Sequence, residues 1–162
     1  MSQYGLHMAG ISAVFTVLIA AVYVVVHRRS LASAKEQVRQ ARPLATIVPA
    51  ALGADFAAYI SLHARYSGDY PAVFSYQPGV IEVWQVDGHR LLDAYETDTL
   101  VDAYVGPVRR FSEQLGDGVV CVFADGTELR IRLRRGAFRS LSAPELHDVV
   151  RDLRLVAELA DD

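Results

Sequence analysis

The feature that most constrains the fold of this chain is an uninterrupted apolar run close to its start. Residues 8–26 contain no charged side chain, and His27, Arg28 and Arg29 follow directly. At a helical rise of ~1.5 Å per residue, the run is long enough to cross the hydrocarbon core of a bilayer. The sequence therefore predicts an N-terminal transmembrane helix, so that residues 1–29 form a membrane anchor.

The charges on either side of this run predict its orientation. No lysine or arginine precedes it, whereas Arg28 and Arg29 follow it at once. Basic residues beside a membrane span stay preferentially in the cytoplasm. We therefore expect a plasma (inner) membrane protein with its N-terminus outside and everything after Arg28 and Arg29 inside.

A cleaved signal peptide is the alternative interpretation of the same run. Signal peptides have a basic n-region, an apolar core of ~7–15 residues and a small-residue cleavage site. Residues 1–7 carry no lysine or arginine, the core is longer, and residues 23–29 offer no such site. These features favour an uncleaved anchor.

Two segments of different character follow the anchor. Residues 30–43 are good helix formers that end at Pro43, which predicts a basic helical stalk continuing the transmembrane helix. Residues 44–71 are apolar and rich in tyrosine, and we expect a helix from about Pro49 that packs on the domain or lies along the membrane. The alternative is a second span over residues 44–62, which would place the domain outside the cell. Pro49, Gly53 and Asp55 oppose it.

Residues 72–162 predict one domain that begins with β-strands. Residues 80–86 and 90–95 have the composition of β-strands. They are joined through Asp87-Gly88, the favoured pair of a two-residue hairpin turn. This turn would place Glu82 opposite Asp93, either as solvated like charges or as a cation site. Residues 100–108 predict a further strand that is interrupted at Gly106-Pro107.

A second hairpin joins residues 119–124 to residues 127–135 through Asp125-Gly126. Leu129, Ile131 and Leu133 alternate with polar residues, as in a strand with one solvated face. A two-residue turn would put Val122 and Val120 opposite Leu129 and Ile131 in the core. It would leave Phe123 and Cys121 on the face that carries Arg130 and Arg132.

The last element of the domain is an amphipathic helix. Ser142 and Glu145 have the spacing of a capping box, with Pro144 in the first turn. Arg154 and Glu158 have the spacing of an i,i+4 ion pair. The apolar positions that follow helical spacing are Leu146, Val149, Val150, Leu153, Val156 and Ala157.

Strands and hairpins followed by one helix predict an α+β fold. The segments VIEVWQV, RLLDAYE, TLVDAYV, VVCVFADGTELRIRLR and PELHDVVRDLRL occur in this order. In that order the chain resembles small single-pass membrane proteins of bacteria, of actinobacterial type, that carry a pleckstrin-homology-like (PH-like) domain. The resemblance implies a curved antiparallel sheet of seven strands, or a barrel, closed at one corner by the helix.

Catalytic chemistry is not evident in the sequence. No metal-ligand, phosphate-loop or nucleophile motif occurs, so we expect no enzyme activity, no cofactor and no metal. A Cys121 thiolate activated by Arg130 across the hairpin is the alternative. The acidic net charge of −3 and the lack of a stacking platform argue against nucleic acid. No small-molecule substrate is evident.

Binding is the function that the charge pattern favours. Arg130, Arg132 and Arg134, with Phe123 beside them, form a candidate site for a lipid phosphate or a protein partner. The interpretation that we favour for these three arginines is that they neutralise the acidic residues of 82–128 across the sheet. We expect a non-enzymatic interaction module or accessory subunit of a larger integral membrane protein or complex, in contact with membrane lipid. The alternative function is a peripheral sensor of anionic lipid headgroups.

Overall fold

The computed structural model describes residues 3–52, 70–87, 89–110 and 113–160. They form an N-terminal apolar helix, an antiparallel eight-stranded sheet and a C-terminal helix, which confirms the predicted α+β class. The elements are α1 (Gln3–Ala41), β1 (Thr46–Leu52), β2 (Tyr70–Gln77), β3 (Val80–Gln85), β4 (Leu91–Tyr95), β5 (Leu100–Arg110), β6 (Glu113–Phe123), β7 (Glu128–Arg135), β8 (Arg139–Ser140) and α2 (Ala143–Glu158).

Helix α1 is unbroken from Gln3 to Ala41, so the predicted stalk is a continuation of the apolar helix. Its stretch Val14–Ala41 has a mean hydropathy of 1.6 in its most apolar part, and that part is long and apolar enough to span a membrane. The large apolar side chains from Val14 to Val26 are mostly exposed. The stretch from Val14 to Val26 therefore presents an apolar surface that the domain does not cover.

The second part of α1 is docked on the sheet. Leu31, Ala34 and Val38 are buried, and they pack against Val73 of β2 and a small apolar cluster around it. Their spacing of three and four residues is that of one helix face, but the sequence does not indicate what this face packs against. The stalk is thus a fixed part of the domain.

The strands follow the order β4-β3-β2-β1-β7-β6-β5, with β8 paired to β7. Strand β1 lies in the middle and pairs with both β2 and β7. The helix predicted from Pro49 is therefore wrong over Pro49–Leu52, because these residues complete the centre of the sheet. A second span across residues 44–62 is wrong for the same reason. The sheet begins at Thr46 rather than at residue 72, and residues 53–69 lie outside the described part.

The β6–β7 hairpin has a register one residue away from the predicted one. Its loop has three residues, with Gly126 at φ +83°, and Phe123 and Thr127 pair across it. This is the three-residue loop with a left-handed third residue, not a two-residue turn. Cys121 consequently faces Leu129, and Val119 faces Ile131. A one-residue shift exchanges the two faces of a strand, so β6 buries the side chains that we expected outside.

The β3–β4 hairpin shows the same kind of difference. Glu82 pairs with Ala94 and Asp93 pairs with Val83, and a bulge lies between Val83 and Trp84. The predicted juxtaposition of Glu82 with Asp93 is therefore wrong. Gly88 of the expected turn lies outside the described residues.

Strand β5 runs through Gly106 and Pro107 without the predicted interruption. It is the last strand in the sheet order, and an edge strand tolerates a proline that cannot donate a hydrogen bond. Gly106 pairs with Gly118 of β6, which lies in a strand and not in a turn.

Helix α2 closes the principal core. The Ser142 N–H and hydroxyl both donate to Glu145, which confirms the capping box. Leu146, Val150 and Leu153 are buried in the main cluster, as their spacing predicts. The predicted Arg154–Glu158 pair is not the contact that forms. Arg154 instead reaches β5, where it bonds Asp102 at 2.9 Å and the Ala103 carbonyl at 2.8 Å.

Candidate functional site

The three arginines of the predicted site share the outer face of β7 and are half-buried. Arg130 bonds Glu128 at 2.6 Å and the Pro107 carbonyl at 3.3 Å, so it lies toward β5. Arg132 donates to the Ser140 hydroxyl at 3.1 Å. Arg134 donates to the Ala137 carbonyl at 3.1 Å, at the opposite end of the strand. The arginine row therefore divides into separate environments.

Phe123 is not part of this row. It is 3% exposed and stacks on Tyr95 inside the main core, with ring centroids 4.4 Å apart. The register of the β6–β7 hairpin places it on the face opposite Arg130, Arg132 and Arg134. The predicted mixture of aromatic and basic side chains on one face is therefore wrong.

A cavity of about 680 Å³ lies where α1 meets the turn between β7 and β8. We call it the basic cavity. Five cations line it: Arg28 and Lys35 from the helix, and Arg134, Arg135 and Arg139 from the strands. Of the predicted residues, Arg134 and the anchor residue Arg28 thus meet in one site. Its apolar lining includes Leu31, Ala137, Phe138 and Leu141.

The electrostatics of the basic cavity are strongly positive. Its five cations face one carboxylate, Glu145, which leaves a formal surplus of four positive charges. Hydrogen bonds from Ser142, together with one from Arg135, lower the pKa of Glu145 to about 2. Glu145 is thus ionised at neutral pH and holds Arg135 at the edge of the cavity. The remaining cations leave the cavity suited to an anion.

An aromatic cluster marks the end of the basic cavity nearest the apolar helix. Phe138, in the β7–β8 turn, is 49% exposed and contacts two rings of α1. Its ring centroid lies 5.2 Å from that of His27 and 6.5 Å from that of Tyr23. Tyr23 belongs to the predicted membrane span. The β7–β8 turn therefore lies beside the end of the apolar part of α1.

A buried carboxylate fixes the other end of the docked helix. Glu82 is 1% exposed and accepts bonds from Arg42 at 2.8 and 3.1 Å and from the Trp84 indole at 3.1 Å. The hydrogen bond with Glu82, followed by its charge, raises the pKa of Arg42 above its usual value. Glu82, expected to be a solvated surface charge, instead ties the end of α1 to β3.

Cys121 does not have the environment of a reactive thiolate. It is fully buried opposite Leu129, and burial raises the pKa of its thiol to about 12. The predicted alternative, a thiolate activated by Arg130, is therefore wrong. Among the residues that the structure describes, no group of three or more His, Cys, Asp or Glu side chains is placed to bind a metal ion.

Three members of the basic cavity were not among the candidate site residues predicted from the sequence. They are Lys35, assigned only to the basic stalk, and Arg135 and Arg139, which continue the arginine-rich stretch of Arg130, Arg132 and Arg134. Arg135 is the last residue of β7, Arg139 is the first residue of β8, and Lys35 is one turn beyond Leu31 on the helix. The signal available was charge alone, since the docking of α1 joins segments about 100 residues apart.

A scan against models of known protein families found no match, and neither did a search of curated protein sequences.

Proposed function

We propose that this chain is a membrane-anchored, non-enzymatic interaction module with a PH-like domain. The carrying observation is the continuity of α1, whose apolar part projects from the domain while its second part packs on the sheet. A helix that both spans a bilayer and docks on a domain presents the same faces of that domain to every membrane partner.

The PH-like part of the proposal has support in the topology. Two runs of consecutive antiparallel strands, β1–β4 and β5–β7, meet at the β1–β7 pair, and α2 lies over the core between them. This arrangement agrees with a curved sheet that one helix closes at a corner.

The proposed orientation places the domain in the cytoplasm. Support comes from Arg28 and Arg29, exposed on α1 directly after the apolar run, and from the cations of the basic cavity beside them. Positive charge next to a span favours the cytoplasmic side, where anionic lipids attract it.

The proposed role is that of an accessory subunit of a larger integral membrane protein. Affinity purification of the full chain in mild detergent, with bound proteins identified by mass spectrometry, tests it. A matched control keeps residues 27–162 and replaces residues 8–26 by an unrelated span of equal length. We expect a membrane protein in stoichiometric amount with the native chain. A monomer with nothing bound in both samples contradicts an accessory role.

A further inference from the structure

We propose that the basic cavity binds the phosphate group of an anionic phospholipid from the adjacent leaflet. The inference rests on the proposed anchoring of α1 in a bilayer and adds a ligand and its binding residues. It differs from the arginine-strand hypothesis, because the residues that carry it come from α1 and the β7–β8 turn as much as from β7.

Positive charge remains in the basic cavity after internal pairing. Arg135 is engaged by Glu145, and Arg134 donates to the Ala137 carbonyl. For Arg28, Lys35 and Arg139, the described part of the chain provides no carboxylate partner within ion-pair distance. Guanidinium groups recognise phosphate oxygens with paired hydrogen bonds, and an ammonium adds a point charge. Two arginines and one lysine around one cavity match a phosphate group.

The cations that α1 contributes to the basic cavity lie just beyond the predicted membrane span. Arg28 and Lys35 lie about 3 Å and about 14 Å beyond the end of the apolar run, measured along the helix axis. The headgroup layer on each side of a bilayer is roughly 5–8 Å thick. If residues 8–26 span the membrane, Arg28 therefore lies at the level of the lipid phosphates, and the backbone of Lys35 lies about 6 Å beyond this layer on the aqueous side. Because side chains on a helix point toward its N-terminus, the Lys35 side chain extends back toward the phosphates.

Exposed apolar surface next to the basic cavity favours a lipid over a soluble anion. At the aromatic cluster the cavity continues onto exposed apolar surface, formed by Phe138 and by Tyr23 and Val26 of the helix. Acyl chains would lie along this surface while the phosphate occupies the cavity. A soluble phosphate would leave the same surface without a role.

Native mass spectrometry of the full chain, extracted in mild detergent with equal amounts of an anionic phospholipid (phosphatidylglycerol) and a zwitterionic one (phosphatidylethanolamine), tests the proposal. The test variant combines Arg28→Gln, Lys35→Gln and Arg139→Gln. The matched control combines Arg39→Gln, Arg90→Gln and Arg109→Gln, which removes the same charge from α1, from the β3–β4 connection and from β5, all outside the cavity. We expect one anionic lipid to be retained by the native chain and by the control, and roughly tenfold less by the test variant.

Three results would overturn the proposal. Equal losses in both variants would show diffuse attraction to the leaflet, and no loss in either would show that the cavity binds no lipid. Displacement of the lipid by millimolar inorganic phosphate would show a site for a soluble anion.

If the triple variant does not fold, Lys35→Glu is compared with Arg39→Glu in the same assay. Carbonate extraction separates the two claims: release of the chain from membranes contradicts the anchor, whereas a retained chain without lipid contradicts the cavity alone.

Discussion

At the scale of single residues, Gly118 shows how close the strands approach one another. A Cβ atom at this position would collide with the Ile131 carbonyl oxygen and lie 2.6 Å from Cγ2 of Val108. We therefore expect Gly118→Ala to lower the free energy of unfolding by about 1–3 kcal/mol, as overpacking does. Gly106→Ala is the control, because there the nearest atoms belong to side chains that can move, at 3.0 and 3.1 Å. Denaturant unfolding measures the free energy of unfolding of both variants. Equal destabilisation by Gly118→Ala and Gly106→Ala would contradict the close approach of Gly118 to Ile131 and Val108.

Cys121 gives a second prediction at the residue scale. Burial raises its thiol pKa from 9.0 to about 12 in the folded protein. At pH 8 the folded thiolate fraction is thus about 1000-fold below that of the unfolded chain, and a thiol reagent should react correspondingly slowly. Between pH 9 and 12 unfolding releases this proton, so the thiol makes the protein less stable as pH rises. Rapid labelling of the native protein at pH 8 would contradict the burial.

The residue scale also shows where prediction from sequence stops. Asp125-Gly126 correctly predicts a tight hairpin, and Leu129, Ile131 and Leu133 are on the core face as their alternation predicts. The predicted faces of Cys121 and Phe123 are wrong. The loop contains Ala124 as a third residue, and this shifts the pairing of β6 with β7 by one position. Aspartate-glycine pairs occur in both loop types, and every position of β6 from 119 to 123 is apolar. The sequence of this hairpin therefore leaves its register open.

At the scale of elements, the contact between Arg42 and Glu82 fastens α1 to β3. Glu82 is buried, whereas the Arg42 side chain is 41% exposed. We expect Arg42→Met to cost about 3 kcal/mol, because it leaves a buried carboxylate without its cation. Combining it with Glu82→Leu should restore much of this loss. Arg39→Met, which removes the exposed Glu36–Arg39 pair, should change stability by less than about 0.5 kcal/mol. Equal effects of Arg42→Met and Arg39→Met would contradict the role of Glu82.

The docking of the stalk is a separate prediction at this scale. Val38 is fully buried between α1 and the sheet, so Val38→Asp places a charge in an apolar contact. We expect the helix to leave the sheet, and spin labels on Gln40 and Asp87 to change from a narrow to a broad distance distribution. Ser33→Asp, on the exposed side of α1, is the control and should keep the narrow distribution. An unchanged distribution in Val38→Asp would contradict the docking.

Prediction of elements succeeds where the signal is local. The continuous helix, the capping box and both hairpins have such signals, and all are present. Strand β1 was mistaken for a helix because it is an apolar segment buried between β2 and β7, which lacks the alternation of a half-exposed strand. Arg154 binds Asp102 of β5 instead of Glu158, because a tertiary contact can outweigh the weak i,i+4 ion pair within a helix.

At the scale of the whole molecule, the central feature is an apolar helix that continues into a segment packed on a sheet domain. The helix docks through Leu31, Ala34 and Val38, its end is tied through Arg42, and Phe138 contacts it near the predicted membrane boundary. The surplus of positive charge within residues 27–42 is evident in the sequence. Its assembly into one cavity is not, because it depends on the packing of segments distant in the chain.

Depth-dependent quenching of a probe at Phe138→Cys, in the full chain reconstituted in bilayers, tests this central claim most directly. The buried Cys121 should stay unlabelled, and Asp125→Cys in the exposed β6–β7 loop serves as the aqueous reference. We predict that lipid-borne quenchers near the headgroup boundary quench the Phe138→Cys probe strongly and that aqueous quenchers reach it poorly. Quenching of the Phe138→Cys probe equal to that at Asp125→Cys would contradict a domain held against the membrane by α1.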